Sequence, residues 1–389
     1  MTALPAEIGN LTNLQRLDLS VNKLTALPAE IWRLTDLQKL NLAANRLTTL
    51  PAEINNLIML SELCLTLNRS LTGLPNEILR LPQTCTVELT ACDLSQTVLS
   101  NLSQATDQPG YAGPRFSYSM EARGVVDGRS AEELLKELFQ KVKQAYEPTL
   151  LERISKNTSE DKLKSLRTWL SRLSLMKDYQ SEQSWLPTKI LNFLTLAIED
   201  KNFSDKFYAI IHGAADTCGD RMALSVINLG VAYQLTKPME IKALAEFLKR
   251  GVWAMSLLEQ CARQKVHTLR LFDEVEVYLG YPVRLKDKLQ LPIDIKEMLY
   301  FRCSALTESD LKDAFDYVNG TISNKEAFYD FLSKNELWLA ALAKNYSTKY
   351  QEIVKEKESA ESFDDPDYVA IGKTFNDGML ALTKKALGA

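Results

Sequence analysis

Residues 4–8 of this 389-residue chain read LPAEI, residues 27–31 and 50–54 repeat those five letters, and residues 74–78 read LPNEI. The first leucines of these segments are 23, 23 and 24 residues apart. Self-similarity at a fixed period of roughly 20 to 50 residues is typical of solenoids, in which each repeat buries its apolar face against its neighbours. The N-terminal part of the chain is therefore predicted to be a stack of repeats.

A second pattern inside each unit identifies the kind of repeat. LxxLxLxxN occurs at residues 14–22, 37–45 and 60–68, and it is the signature of leucine-rich repeats. A degenerate last unit, VELTAC, has Val87 and Leu89 in the strand positions and Cys92 where the other units have asparagine. The asparagine or cysteine position is predicted to form a buried ladder of side chains that hydrogen-bond the neighbouring turn.

Alternation along the predicted strands places polar side chains on the concave face of the sheet. Solenoids generally bind partners on that face, so we expect a protein partner to dock there. Taken singly, each position also fits an ordinary solvated strand residue. The residues predicted to contact the partner are Arg16, Asp18, Lys39, Asn41 and Glu62.

Composition excludes several classes of protein. Lys and Arg total 46 against 50 Asp and Glu, so the net charge of −4 lacks the basic excess that nucleic-acid binding requires. No apolar run is long enough to span a membrane, and the opening MTALPAEIGN does not resemble a secretory signal peptide. Six cysteines without a CxxC pair and only two histidines give no basis for a disulfide framework or a metal site. No cofactor and no metal are expected.

The sequence changes character after the repeats. Residues 103–119, SQATDQPGYAGPRFSYS, are typical of a boundary, and from Ser130 onward apolar residues recur at helical spacing. We predict an α+β multidomain protein: leucine-rich repeats over residues 1–102, a linker over 103–129, and an all-helical domain over 130–389.

One stretch between two helical patterns combines a thiol with carboxylates. It reads HGAADTCGDR and contains His212, Asp216, Cys218, Asp220 and Arg221. A cysteine at a helix start is favoured as thiolate, and a nearby carboxylate can accept a proton from an attacking amine while the thiol carries an acyl group. From the residues alone, a structural cysteine is the more common interpretation, and a catalytic one stays open beside it. Nucleotide-binding loops, GxSxG and HExxH are missing from the sequence.

Leucine-rich repeats followed by a helical region with Cys-x-Asp-Arg resemble the IpaH/SspH/SlrP family of bacterial effector ubiquitin ligases, whose catalytic part is called the NEL domain. The stretch ARQKVHTLRLFDEVEVYLGYPVRLKDKLQL from Ala262, followed by IKEMLYF, is also similar to the long central helices of that family. The resemblance spans the repeats and most of residues 130–389. It implies an E3 ubiquitin ligase whose repeats select a host protein and restrain the catalytic half until that protein binds.

The resemblance also implies roles for individual residues. Cys218 would accept ubiquitin from a charged E2 conjugating enzyme as a thioester, and Asp220 would deprotonate or orient the attacking lysine. Asp216 and Arg221 would orient the loop, although helix capping and surface ion pairing explain them as well. His212 is a candidate for assisting proton transfer, although the chemistry of the family does not require a histidine at this place. The four polar residues of the DEVEVY segment are interpreted as a structural network: Asp273, Glu274, Glu276 and Tyr278.

The implied partners are ubiquitin, the E2 enzyme and a host substrate, and the implied location is the host cytoplasm after type III-like secretion. The short repeat array and the lack of an obvious secretion leader depart from the family pattern. A non-catalytic interaction scaffold is the main alternative function. A cysteine hydrolase that pairs Cys218 with His212 is a third, but no oxyanion site is evident for it.

Overall fold

A computed structural model describes residues 1–118, 128–156, 158–174, 177–180, 185–215, 220–293, 304–361 and 367–389. The described chain forms two compact units. The first contains Met1–Leu229, Arg263–Gly280 and Ile295–Leu306, and the second contains Gly230–Ala262, Tyr281–Asp294 and Thr307–Ala389.

Each repeat in the first unit contributes one 3-10 helix and one short strand. Every 3-10 helix begins directly after the proline of LPxEI, because proline holds its own φ in the extended region and needs no N–H partner there. The 3-10 helices are Ala6–Asn10, Ala29–Arg33, Ala52–Asn56 and Asn76–Arg80. The strands are β1 (Arg16–Asp18), β2 (Lys39–Asn41), β3 (Glu62–Cys64) and β4 (Thr86–Glu88).

These strands form a parallel sheet in which the repeat sequences are in register. Leu17 lies opposite Leu40, Leu40 opposite Leu63, and Leu63 opposite Val87. From Leu40 onward these side chains are almost completely buried, and they pack with the other repeat leucines into one continuous core. Stacking identical apolar positions lets each short repeat bury a face that it could not bury alone.

The predicted ladder is confirmed. The amide of Asn45 donates to the Leu19 and Leu42 carbonyls, and its Oδ1 accepts from the Leu24 amide at 3.0 Å. Asn68 repeats this pattern one unit later. The thiol of Cys92 donates to the Leu65 carbonyl at 3.2 Å, so cysteine replaces one of the bonds of asparagine.

Two further strands extend the sheet beyond the repeats. Strand β5 (Arg115–Tyr118) lies within the stretch interpreted as a linker, and β6 (Leu271–Asp273) lies within the half interpreted as all-helical. Both pair in parallel, giving the order β1-β2-β3-β4-β5-β6 among the described residues. The pairing satisfies backbone groups that the last repeat would otherwise leave open at its edge. Neither strand has the LxxLxLxxN pattern.

The helices up to residue 235 begin with α1, which follows the last repeat, and end with α8, whose residues divide between the two units after Leu229. Ser130 and Glu133 form a capping box at the start of α2, as the sequence of that helix predicts. The helices are α1 (Gln96–Thr106), α2 (Ala131–Lys141), α3 (Pro148–Lys156), α4 (Glu160–Leu173), α5 (Lys177–Gln180), α6 (Trp185–Glu199), α7 (Lys201–Ala215) and α8 (Asp220–Leu235).

Some of the remaining helices share a second core around the fully buried Trp338. A π-helical segment, Leu248–Trp253, joins two of them. The remaining helices are α9 (Ile241–Phe247), α10 (Ala254–Thr268), α11 (Glu274–Leu289), α12 (Glu308–Ser323), α13 (Lys325–Ser333), α14 (Glu336–Asn345), α15 (Ser347–Glu361) and α16 (Tyr368–Leu387). The predicted fold class, leucine-rich repeats followed by a helical region, is confirmed. Within the described ranges, the helices are too short or too polar to cross a membrane.

Candidate functional site

The predicted thiol site lies where α7 ends and α8 begins. Asp216 and Cys218 fall outside the described residues. Asp220 and Arg221 form the first turn of α8, but their side chains also lie outside the described part of the chain. The structure therefore describes the two helical stems of this segment, and the roles of the four residues stay predictions.

The first stem is held at His212, three residues before the end of α7. The Nδ1 atom of His212 lies 3.0 Å from Oγ of Ser165 on α4. Ser165 is buried, whereas the ring of His212 is exposed. The bond fixes the direction of the imidazole and leaves its Nε2 atom on the opposite side of the ring.

The second stem is held through Ser225 in α8. The indole Nε1 of Trp169 on α4 donates to Oγ of Ser225 at 2.8 Å, and that hydroxyl donates to the Met222 carbonyl at 2.6 Å. All three residues are buried, with exposures of 0%, 3% and 1%. The chain of two bonds ends two residues after Asp220, inside the first turns of α8.

Helix α4 therefore supports both stems. Ser165 and Trp169 are four residues apart, so they project from one face of the helix, one turn from each other. Trp169 also packs edge-on against Phe207 of α7, with ring centroids 5.6 Å apart. The sequence contained no signal for these contacts, because the partners lie 47 and 56 residues away and nothing in the local pattern pairs them.

The acidic residues of the DEVEVY segment have a different role. Asp273 ends β6, is fully buried, and accepts hydrogen bonds from the Val275 and Glu276 amides at the start of α11. Glu276 is fully buried as well. Capping of α11 by a strand residue supports the interpretation of this segment as structural.

Three thiols in the described part of the chain lie in environments that oppose ionisation. Burial, together with Glu62, raises the pKa of Cys85 to about 12. Burial also raises the pKa of Cys64 and of Cys261. Since the thiolate is the reactive form of cysteine, these three positions are poor nucleophiles. Cys303 lies outside the described residues.

The five residues predicted to bind a partner lie on one face of the repeat sheet. Arg16 is in register with Lys39 and Lys39 with Glu62, while Asp18 is in register with Asn41. Lys39 and Glu62 form an ion pair across the strands. The Ser20 amide donates to the Asp18 carboxylate at 2.9 Å, and this bond holds the pKa of Asp18 below its usual value.

Further along the same sheet, Arg115 ties β5 to the segment that leads into β6. Its guanidinium donates to the carbonyls of Leu269, at 3.0 Å, and of Val266, and it lies 5.0 Å from the ring centroid of Phe272. In the described parts of the chain, no group of three or more His, Cys, Asp or Glu side chains is arranged to bind a metal.

Fold and sequence together define a leucine-rich-repeat protein with a helical region that carries the HGAADTCGDR stretch. A family model described as "C-terminal novel E3 ligase, LRR-interacting" (NEL) matches residues 140–349, and a model of two leucine-rich repeats matches residues 12–58. The NEL match covers more than half of the chain. The protein therefore belongs to the NEL family.

Curated relatives align with this chain over 293 residues. The E3 ubiquitin-protein ligase ipaH3 of Shigella flexneri is 28% identical over 74% of this chain and 50% of its own. The E3 ubiquitin-protein ligase ipaH9.8 of Shigella boydii is 26% identical over 74% of this chain and 53% of its own. The chain thus spans about half the length of the curated relatives it matches.

Among solved structures, a leucine-rich-repeat protein of Leptospira interrogans is 34% identical over 30% of this chain and 36% of that chain, with a TM-score of 0.24. A score that low supports no structural argument.

Proposed function

We propose that this protein is an E3 ubiquitin ligase that carries ubiquitin as a thioester on Cys218 and transfers it to a lysine of a protein selected by the leucine-rich repeats. The observation that carries the proposal is the position of Cys218. It lies inside the segment matched by the NEL family model, directly before the N-terminus of α8.

The proposed chemistry has two steps, a transthiolation and an attack by a lysine amine. The Cys218 thiolate attacks the thioester carbonyl of a charged E2 enzyme, a new C–S bond forms, and the E2 thiol leaves as thiolate. The amine of a lysine then attacks the new thioester, a C–N bond forms, and the C–S bond to Cys218 breaks. The amine loses its proton to the Asp220 carboxylate, while the released sulfur departs as thiolate.

The local fold suits this chemistry. The free amides at the start of α8 favour negative charge beside them, which stabilises a thiolate before the helix. Transthiolation exchanges one thioester for another of similar free energy, so the enzyme has mainly to position the reacting groups. In the proposal, Asp216 and Arg221 orient the loop, and His212 assists proton transfer through the ring that Ser165 holds.

The repeats would supply substrate selection. The exposed row of charged and amide side chains on β1 to β3 offers a polar docking surface for a host protein: Arg16, Asp18, Lys39, Asn41 and Glu62. Because the curated relatives are Shigella proteins and ubiquitin is a eukaryotic protein, we propose that the chain is secreted by a type III-like route and acts in the cytoplasm of a host cell.

The test is a single-turnover discharge. Wild-type protein is mixed with E2 enzyme charged with ubiquitin, and a non-reducing gel reveals any adduct that disappears on treatment with thiol. We expect the adduct with wild type, and none with Cys218→Ala. Cys261→Ala is the matched control, because it removes a half-buried thiol outside the loop and should leave the adduct intact.

Other outcomes separate the alternatives. No adduct with any of several E2 enzymes would favour a non-catalytic scaffold. Cleavage of ubiquitin conjugates by the wild type without an E2 enzyme would favour a hydrolase.

A further inference from the structure

The two stems of the Cys218 loop are bonded to the same face of one helix, and this arrangement assigns a role to α4. We propose that Ser165 and Trp169 are positioning residues, which hold α7 and α8 at the separation that the thioester chemistry needs. The inference rests on the proposed function and adds residues that touch neither ubiquitin nor the reacting atoms.

The anchored positions on α7 and α8 both lie close in sequence to the segment that contains Cys218. Helix α7 ends at Ala215 and α8 begins at Asp220, so only four residues connect them. His212 lies four positions before the first residue of that connection, and Met222 lies three positions after its last residue. With so short a connection, the position of Cys218 relative to Asp220 depends on where the two stems are held.

The anchor on the α8 side is a buried hydrogen bond from Trp169 to Ser225. The indole of Trp169 is fully buried, and its N–H bond to Ser225 lies in an environment where water cannot replace it. Ser225 passes the bond on to the Met222 carbonyl, so the interaction fixes backbone as well as side chain. Apolar packing continues on both sides of the loop, at Ile211 in α7 and Val226 in α8.

Helix α4 holds the two anchors at a fixed distance from each other. Ser165 and Trp169 lie one helical turn apart on a rigid element, so the two anchor points keep a fixed spacing of about 6 Å along the axis. A site carried on such an element is held more closely than one carried by a loop. Loss of either anchor should let one stem shift while the helices stay folded.

The second unit offers a matched control for the Trp169 bond. There the indole of the fully buried Trp338 donates to Oγ1 of Thr383 at 3.0 Å, and that hydroxyl donates to the Met379 carbonyl at 2.8 Å. The chemistry matches that of Trp169, Ser225 and Met222, but neither helix involved, α14 or α16, is joined to the Cys218 loop. Trp169→Phe and Trp338→Phe thus remove the same kind of bond.

The experiment measures discharge of charged E2 enzyme over a range of E2 concentrations, with wild type and both variants at full length. Circular dichroism and the thermal midpoint report folding. We expect both variants to remain folded with similar losses of thermal midpoint. Trp169→Phe should lower the maximal rate constant about tenfold and leave the half-saturating E2 concentration unchanged, because a misplaced nucleophile slows the chemical step. Trp338→Phe should retain the wild-type rate constant.

A smaller pair of substitutions covers the case in which a tryptophan variant fails to fold. Ser225→Ala and Thr383→Val remove the acceptor hydroxyls with little change in volume, and the same contrast between them is expected. Equal maximal rate constants for Trp169→Phe and Trp338→Phe, or for Ser225→Ala and Thr383→Val, would overturn the positioning role. The proposed function would remain intact. No adduct with the wild type would overturn the proposed function, and the positioning role would fall with it.

The other stem is tested by Ser165→Ala, which removes the hydroxyl that contacts His212. Ser171→Ala is its control, because Ser171 is also a buried serine of α4. We expect Ser165→Ala to lower the maximal rate constant about threefold to tenfold and to leave the half-saturating E2 concentration unchanged. Ser171→Ala should not lower the rate constant. A change confined to half-saturation would contradict the positioning role, since it would indicate a defect in binding the E2 enzyme.

Discussion

The repeat sheet and the Cys218 loop differ in how their supporting contacts are encoded. In the repeats, Asn45 and Asn68 each bond to partners 21 and 26 residues back, so one repeat predicts the contacts of the next. Around the loop, Ser165 reaches His212 and Trp169 reaches Ser225 across unrelated stretches of sequence. A contact that recurs in every repeat can therefore be inferred from sequence spacing. A contact that occurs once becomes evident only from the structure.

The largest contrast between the two regions concerns their thiols. Cys85 is fully buried in the repeat core, and burial raises its pKa to about 12 from an ordinary value of 9.0. At pH 8 only about one molecule in ten thousand carries the thiolate there, so alkylation by iodoacetamide should be about a thousandfold slower than for an exposed thiol. The proposed nucleophile Cys218 should react first. Peptide mass spectrometry over time measures both rates, and labelling of Cys85 as fast in native protein as in concentrated urea would contradict the burial.

The ladder provides the next largest effect. Asn68→Ala leaves the buried Leu47 amide without its acceptor. It also removes one donor from the Leu42 carbonyl and one from the Leu65 carbonyl, which keep bonds from Asn45 and Cys92. We expect a loss of about 3 kcal/mol in the free energy of local opening, since an unsatisfied buried amide costs about 1 to 3 kcal/mol and the two lost bonds add to it. Hydrogen exchange of the repeat amides measures it.

Cys92→Ala is the comparison within the same ladder. Its thiol donates a weak bond to the Leu65 carbonyl, so the expected loss is about 1 kcal/mol. Equal losses in the free energy of local opening for Asn68→Ala and Cys92→Ala would mean that the hydrogen bonds of the ladder do not stabilise the repeats.

A smaller loss is expected where the sheet leaves the repeats. Arg115→Ala removes charged hydrogen bonds to the Val266 and Leu269 carbonyls and the contact with Phe272, for a loss of about 2 kcal/mol in the local stability of β5 and β6. The Phe116 amide, which donates to the Arg270 carbonyl, should exchange faster. Arg33→Ala, at an exposed position of a 3-10 helix, should leave that exchange unchanged. Unaltered exchange in Arg115→Ala would show that strand pairing alone holds β6.

The smallest effect on stability belongs to the docking face. Lys39 and Glu62 are exposed by 47% and 42%, so Lys39→Ala should change stability by less than about 0.5 kcal/mol. If the face selects the substrate, the reversed charge in Lys39→Glu should nevertheless reduce transfer to the substrate while leaving the Cys218 adduct unaffected. Thermal unfolding and a gel of substrate modification separate the two effects. Loss of the adduct itself in Lys39→Glu would contradict a role confined to selection.

Sequence periodicity predicted the part of the fold that repeats. The LPAEI spacing, the strand leucines and the ladder through Cys92 all lie where the pattern predicts them, because each position is repeated by the same backbone geometry. Strands β5 and β6 were missed because they lack the LxxLxLxxN pattern, and because parallel backbone pairing, which joins them to the sheet, can be provided by any extended segment. Proline and glycine near β5 indicated a linker, although Arg115 and Phe116 belong to the sheet.

The candidate site could be predicted only in part. The motif around Cys218 follows from the sequence and the family resemblance, but the roles of its residues remain predictions. The anchors Ser165, Trp169 and Ser225 carried no local signal, since a buried serine or tryptophan in an amphipathic helix is usually core. Only the packing of α4 against α7 and α8 distinguishes them from other core residues.

The most direct measurement of the central claim locates the ubiquitin on the chain. Cys218→Ser is mixed with charged E2 enzyme, because a serine nucleophile traps ubiquitin as an oxyester that resists thiol reductants. Tryptic mass spectrometry then identifies the modified residue. The account predicts a ubiquitin remnant at position 218 that is missing when Cys218→Ala is treated in the same way. A remnant at another residue in both variants, with undiminished transfer to substrate, would contradict it.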